Sequence, residues 1–285
     1  MEISKDLIKK GLTTLGMRPG DVVLFHSSLR TLGPARDLVK LPDCGAHLVI
    51  DAFVETVGPS GLVIVPTLTA TFAPNNPGPS QYVFDPKETP SRVGSITDKF
   101  WRRPEARRSA HPTHSLAAIG DRADEFVKDH DKGSTFDRRT SYGRYYDWDG
   151  YVCFFGTDTR TNTTLHAVED WMNMPYMAEA SALVRQPDGS AKEVKVTKSP
   201  AGYRDFYKKD SKAARLLESS GIVRETAIGS ARVRLMKARE LVDLYWDAML
   251  EDPLLLLGEP GDNPFVDQWA EKTREHVASG GVPER

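Results

Sequence analysis

The stretch "YVCFFGTDTRTNTTLHAVED" (residues 151–170) decides the fold class. Its first five residues are an unbroken apolar run, the mark of a strand covered on both faces of a sheet. Seven residues rich in Thr and Asp follow, and "TTLHAVED" then reads as the opening of a helix. A central strand feeding a helix through a polar loop is an α/β unit. In such folds ligands bind beyond the carboxyl ends of the strands. Asn162 or Thr163 is suited to cap the helix, its side-chain oxygen accepting an otherwise unpaired amide. His166 then falls in the first turn. The positive end of the helix dipole disfavours an imidazolium there, which leaves a neutral ring able to accept a proton. Glu169, three residues on, shares that helix face and can hold a ring N–H or a cationic ligand. A capped helix with a merely half-buried histidine accounts for the same residues, so this stretch alone leaves the choice open.

Outward from this unit, strands and helices alternate. Ile3, Leu7, Ile8 and Leu12 form a helical stripe ending near Gly16, and "DVVLF" (21–25) reads as a buried strand. A helix over 47–57, closed by Gly58, and a strand over 62–69 follow. Residues 71–92 are rich in Pro, Asn and Ser and read as a long ordered flap, because Tyr82, Val83 and Phe84 need somewhere to pack. A short helix is expected at 93–102, a strand near Leu116–Ile119 and a helix over "DRADEFVKDH" (121–130). "SALVRQPDGSAKEVKV" (181–196) predicts a hairpin turning at Pro-Asp-Gly. A helix around 202–218, a strand around 231–236, a helix at 237–249 and a polar tail complete the reading. The hairpin makes this an α/β fold with a mixed sheet rather than a purely parallel one. The chain is expected to be a single domain over 1–285, with the flap at 71–92 and a hairpin subdomain at about 178–200.

Bulk composition excludes several classes. The chain has 285 residues, 39% hydrophobic and 27% charged, enough to bury a full core. A net charge of −2 gives no basic footprint for nucleic acid and no polybasic membrane patch. No apolar run approaches the ~20 residues of a membrane helix, and the amphipathic N-terminus does not read as a signal peptide. Cys44 and Cys153 are too few for a disulfide framework or a four-thiolate zinc site. Cytoplasm is the expected location.

Two further stretches carry candidate chemistry. "HSSLRTLG" (26–33) follows a buried strand, and Ser27 and Ser28 can offer hydroxyls and amides to an anion such as a pyrophosphate. An ordinary serine-rich turn is the alternative. "RRPEARRSAHPTHS" (102–115) holds Arg102, Arg103, Arg107 and Arg108, a cationic cluster that would suit a phosphate-rich ligand such as coenzyme A, or simply a solvated helix end. His111 and His114 could join His166 and Glu169 around a metal, but Pro112 breaks any helical spacing, and no metal is expected.

"HSSLRTLG", "FDPKETPSRVGSI" running into "RSAHPTHSLAAIGDRA", and "NTTLHAVE" together resemble, in order and spacing, the aminoglycoside 3-N-acetyltransferase family over roughly residues 5 to 250. The resemblance implies an α/β/α core with a smaller subdomain and an acetyl-coenzyme A-dependent N-acetyltransferase conferring antibiotic resistance. It implies that His166 is the catalytic histidine, with Glu169 its carboxylate partner. Ser27, Ser28 and Leu29 would meet the coenzyme's phosphate and pantetheine arm. Ser91, Arg92, Ser109 and Ser115 match further positions along the coenzyme groove, with Arg92 or Arg108 supporting the phosphates. The tetrahedral oxyanion needs donors, and Thr163 and Thr164 are the candidates at the helix start. A polycationic amine acceptor needs carboxylates, for which Asp158, Asp170 and Glu179 are named. The segment "GTDTRTN" and the continuation "VEDWMNMPY" depart from the family pattern where the acceptor should sit, so another amine acceptor or a degenerate acyl-coenzyme A binder is the competing reading. Assembly as a homodimer is left open.

Overall fold

A computed structural model describes residues 3–69, 83–198 and 208–285. In chain order its strands are β1 (Val22–Ser27), β2 (Leu62–Pro66), β3 (Val83–Phe84), β4 (Arg107–Arg108), β5 (Leu116–Gly120), β6 (Tyr151–Phe155), β7 (Ala178–Arg185), β8 (Ala191–Lys198), β9 (Arg224–Ile228) and β10 (Ala231–Lys237). Seven of them form one sheet in the order β4-β5-β2-β1-β6-β10-β9. The centre, β2-β1-β6, is parallel, while β5, β10 and β9 pair antiparallel with their neighbours. The sheet is therefore mixed, as expected, but through β5, β10 and β9, because the hairpin that prompted the expectation lies in a separate three-stranded sheet, β3-β7-β8.

Side-chain alternation explains the three layers. In β6 Val152 and Phe154 point into one apolar cluster, and Tyr151, Cys153 and Phe155 into the other. The second cluster is closed by helices α1 (Lys5–Thr14), α3 (Ala46–Val57) and α4 (Ser95–Trp101), with α2 (Ala35–Leu38) a single turn in the connection after β1. The first is closed by α5 (Ala123–Val127), α6 (Ser141–Asp147), α7 (Thr164–Trp171), α8 (Lys212–Ser219), α9 (Ala238–Glu251) and α10 (Pro264–Ala278). Covering both faces is what an apolar strand without alternation demands.

The hairpin forms as expected, with Ala182 opposite Val194 and the chain reversing through Gly189 at φ 84°. β3 adds to β7 in parallel, and Phe84 buries itself against Val184 and Val194. Residues 70–82, most of the expected flap, lie outside the described residues, as do 199–207 at the start of the helix expected over 202–218. Within the described part that helix runs only from Lys212 to Ser219.

Some expectations are corrected. The tail is not a polar coil but α10, which buries Val266, Ala270 and Thr273. Its start signal was present: Asn263 accepts from the amides of Phe265 and Val266, and Pro264 occupies the first turn. The helix over 121–130 shortens to five residues, and α6 and β9 have no counterpart in the reading of the sequence.

Phe154 is fully buried and stacks on His26 with ring centroids 5.3 Å apart. Phe154→Ala is expected to cost about 3–5 kcal/mol of unfolding free energy. Urea unfolding measures it, and a loss below about 1 kcal/mol would contradict the packing described.

Candidate active site

Helix α7 starts just past the carboxyl end of β6, and its first turn is fixed locally. The amide of Thr164 donates to Asn162 Oδ1 at 3.1 Å, so of the two expected caps Asn162 does the capping. The Thr163 side chain makes no capping bond. It is buried beside the Tyr142 hydroxyl, too loosely placed for a well-formed hydrogen bond. Thr164 has both groups engaged, its amide by Asn162 and its hydroxyl by Tyr145.

One turn on, His166 Nδ1 lies 3.0 Å from Glu169 Oε2. Glu169 has no exposed surface and His166 keeps only 6%. The ring nitrogen facing a buried carboxylate is the N–H, which leaves Nε2 as the nitrogen with a lone pair. Glu169 Oε1 accepts from the Tyr176 hydroxyl at 2.9 Å, a partner absent from the reading of the sequence. Phe136 and His114 wall the imidazole, with ring centroids at 5.8 and 6.4 Å.

Behind this pair three other histidines, His111, His114 and His130, form an internal aromatic array. His111 stacks on His130 at 4.7 Å, and His130 is held between the Ser109 hydroxyl and the carbonyl of Thr135. His111 Nδ1 accepts from the amide of His114. Burial lowers the pKa of His114 and His26 to about 3 and that of His130 to about 4, and holds His111 well below the usual histidine range.

A second feature lies at the end of β1. Ser27, Ser28, Leu29 and Arg30 face Gly94, Ser95 and Ile96 across a cleft of about 390 Å³. The Ser28 amide is already spent on the carbonyl of Phe155, so the anion-facing role expected of it falls to side chains.

Several expected site residues are used elsewhere. Arg108 donates to Thr67, Thr89 and Ser115 and stacks between Phe84 and Trp101, so its donors are largely spent inside the protein. Burial lowers its pKa to about 10. Ser115 and Ser109 are buried, their hydroxyls bonded to Thr67 and to Leu116 and His130. Ser91 is buried against Thr97, whereas Arg92 is exposed. The arginine cluster is neutralised by carboxylates: Asp98 takes Arg102, Asp51 takes Arg103 and Asp124 takes Arg107.

The acceptor carboxylates also separate. Asp170 accepts from Ser134 at 2.7 Å and Thr197 at 3.1 Å, which ties α7 to the hairpin, and burial raises its pKa. Asp158 pairs with Arg160 at 2.5 Å. It lines a cavity of about 540 Å³ that also holds Arg160, Lys209, Arg215, Arg232 and Arg234 against Asp210 and Glu218. Those five cations outnumber the three acids, Asp158 included, the wrong balance for a polycation. Glu179 is exposed on β7.

The family model for aminoglycoside 3-N-acetyltransferases matches residues 24–250. Aminoglycoside N(3)-acetyltransferase IV of Salmonella is 30% identical over 251 residues, 87% of this chain and 88% of that one. The solved apoenzyme of aminoglycoside acetyltransferase AAC(3)-IVa matches with a TM-score of 0.77 and 28% identity, covering 95% of this chain and 98% of that one. A histidine-to-alanine mutant of that enzyme, solved in complex with a gentamicin, matches with a TM-score of 0.76 at the same identity and coverage.

The buried histidines make stability depend on acid. Unfolded, each binds a proton near its ordinary value of 6.5, whereas folded His26, His114 and His130 stay neutral down to about 3–4. Their contribution is fully present above about 6.5 and is lost as pH falls from there towards the folded values. Each is expected to cost about 2 kcal/mol between about pH 7 and pH 5. Urea unfolding at the two pH values measures this, and equal midpoints would refute it.

Proposed function

We propose that this chain, which belongs to the aminoglycoside 3-N-acetyltransferase family, moves the acetyl group of acetyl-coenzyme A onto the 3-amine of an aminoglycoside, with His166 as general base. The observation that carries the reading is the His166–Glu169 pair at the start of α7, 3.0 Å apart, with Glu169 fully buried and His166 only 6% exposed. Such a pair fixes the tautomer and turns Nε2 outward as the proton acceptor.

An ammonium group is not a nucleophile. The ammonium first loses one proton to solvent to give the free amine, and His166 Nε2 takes the second as the nitrogen attacks the thioester carbonyl, in direct transfer through a ternary complex. The new C–N bond forms, the C–S bond breaks on collapse of the tetrahedral intermediate, and coenzyme A leaves as the thiolate. Thr163, whose hydroxyl is not committed to a cap, is the candidate donor to the oxyanion, since Thr164 is fully engaged. Neither cysteine suits an acyl-enzyme route: burial in β6 pushes the Cys153 thiol up, and Cys44 sits apart at the entry to α3.

The coenzyme is read into the cleft at Ser27, Ser28 and Leu29, with Arg30 and the exposed Arg92 as the available cations in place of Arg108. For the acceptor, relatives solved with a gentamicin, with apramycin and with sisomicin support a polycationic amine. Of the three candidate carboxylates, Glu179 is the exposed one that forms no ion pair with the described residues.

Thiol release from acetyl-coenzyme A in the presence of gentamicin or apramycin tests the reading. His166→Ala is expected to remain folded and to lose about 10²–10⁴-fold in kcat. Turnover within a few-fold of the unsubstituted protein would remove His166 as the base. Activity confined to simple monoamines would leave the fold and remove the aminoglycoside.

A further inference from the structure

The chain that leaves the catalytic helix comes straight back to it. Helix α7 ends at Trp171, and Asn173 adopts the left-handed conformation at φ 53°, which asparagine tolerates better than most residues. The Asn173 amide donates to the carbonyl of Asp170, and the Met174 amide to that of Glu169, both at 3.0 Å. These are the two bonds of a Schellman reversal, and Pro175 follows where a helix cannot continue. The reversal brings Tyr176 under its own helix, 2% exposed, with its hydroxyl 2.9 Å from Glu169 Oε1.

We propose that Tyr176 is a positioning residue for the reaction: its hydroxyl holds Glu169 so that the carboxylate presents Oε2 to His166 Nδ1 and tempers the charge felt by the imidazole. The proposal rests on the reading of His166 as base. Glu169 has two oxygens and a distinct donor on each, His166 on Oε2 and Tyr176 on Oε1. With both in place the carboxylate has one orientation, and the imidazole has one tautomer and one ring plane. Remove the phenol, and Oε1 is left buried with one donor fewer. The negative charge then concentrates on the carboxylate, its pull on a protonated His166 strengthens, and a base held as imidazolium cannot accept a proton.

Among the described residues, the other titratable groups near the pair sit on separate elements or further along the helix. His114 faces His166 from the loop before β5, with His130 and His111 beyond it. Asp170, next along α7, feels the charges of Glu169 and Asp137. Tyr176 instead meets the pair directly at Oε1, so a change there is felt first by the carboxylate and the imidazole bonded to it.

Tyr176→Phe tests the proposal, since it removes one oxygen atom and keeps the ring. Expected are a fall in kcat of about 10-fold with KM for the aminoglycoside nearly unchanged. The acid limb of the kcat/KM profile is expected to move up by about half a unit or more. The ¹⁵N titration of the His166 imidazole, assigned by its loss in His166→Ala, should move the same way whether or not the variant turns over. Incorporation of 3-fluorotyrosine at position 176, a stronger donor of nearly the same shape, should move the limb and the titration in the opposite direction, and it serves if the phenylalanine variant folds poorly. An unmoved His166 titration in either variant overturns the proposal, as does a drop in kcat matched by an equal rise in KM. Full activity of His166→Ala would instead overturn the base assignment, a separate result from any of these.

Discussion

A fully buried carboxylate, Glu169, constrains the architecture around it. An ionised carboxyl group taken out of water is costly unless each of its oxygens finds a donor. Both donors come from nearby in the chain: His166 one turn back on the same helix and Tyr176 just past the helix end. The C-terminal end of the helix is therefore the sensitive one: the Asn173 reversal returns Tyr176 to the carboxylate that His166 meets from one turn back. The sheet then supplies position. β6 delivers the start of that helix to the carboxyl edge beside β1, where the Ser27–Leu29 cleft opens, so the His166–Glu169 pair and the cleft are set by two adjacent parallel strands.

The parts of this arrangement that depend on local sequence were legible. The strand at 151–155 has the limits its apolar run suggested, and the hairpin turned where Pro-Asp-Gly stood. The i,i+3 spacing of His166 and Glu169 did place them in contact. Tyr176 was not foreseen, although its signal was available. Asn followed by Met-Pro after a short amphipathic helix marks a left-handed cap, and such a cap returns the chain to the helix it has just left. Helix α10 was missed for a similar reason, since the Asn263-Pro264 start was overshadowed by the charged residues on its exposed face.

What the sequence could not disclose was where charge is spent. Arg102, Arg103 and Arg107 read as a phosphate-binding cluster because only their neighbours in the chain were visible. Two of the three are neutralised from distant elements, by Asp51 on α3 and Asp124 on α5. Arg108 shows the same effect without an ion pair, its donors absorbed by carbonyls and hydroxyls of three separate segments. A charge is legible in a sequence, but its partner at long range is a property of the fold.

The same accounting bears on the acceptor. Asp170 was named as a ligand for an ammonium group, and instead it takes hydroxyls from Ser134 and Thr197. Through the Thr197 bond the residue after Glu169 is fastened to β8, so α7 and the small sheet are held in one register. A carboxylate spent in this way fixes the packing of α7 against its neighbours. Asp158 is likewise satisfied by Arg160, in a cavity whose walls are mostly cationic. Glu179, by contrast, sits exposed on the hairpin strand whose partner carries Thr197. With α7 and the hairpin clamped together by Asp170, exposed hairpin side chains such as Glu179 can vary without disturbing the buried His166–Glu169 pair, so under the proposed function they are where a difference in amine would be accommodated.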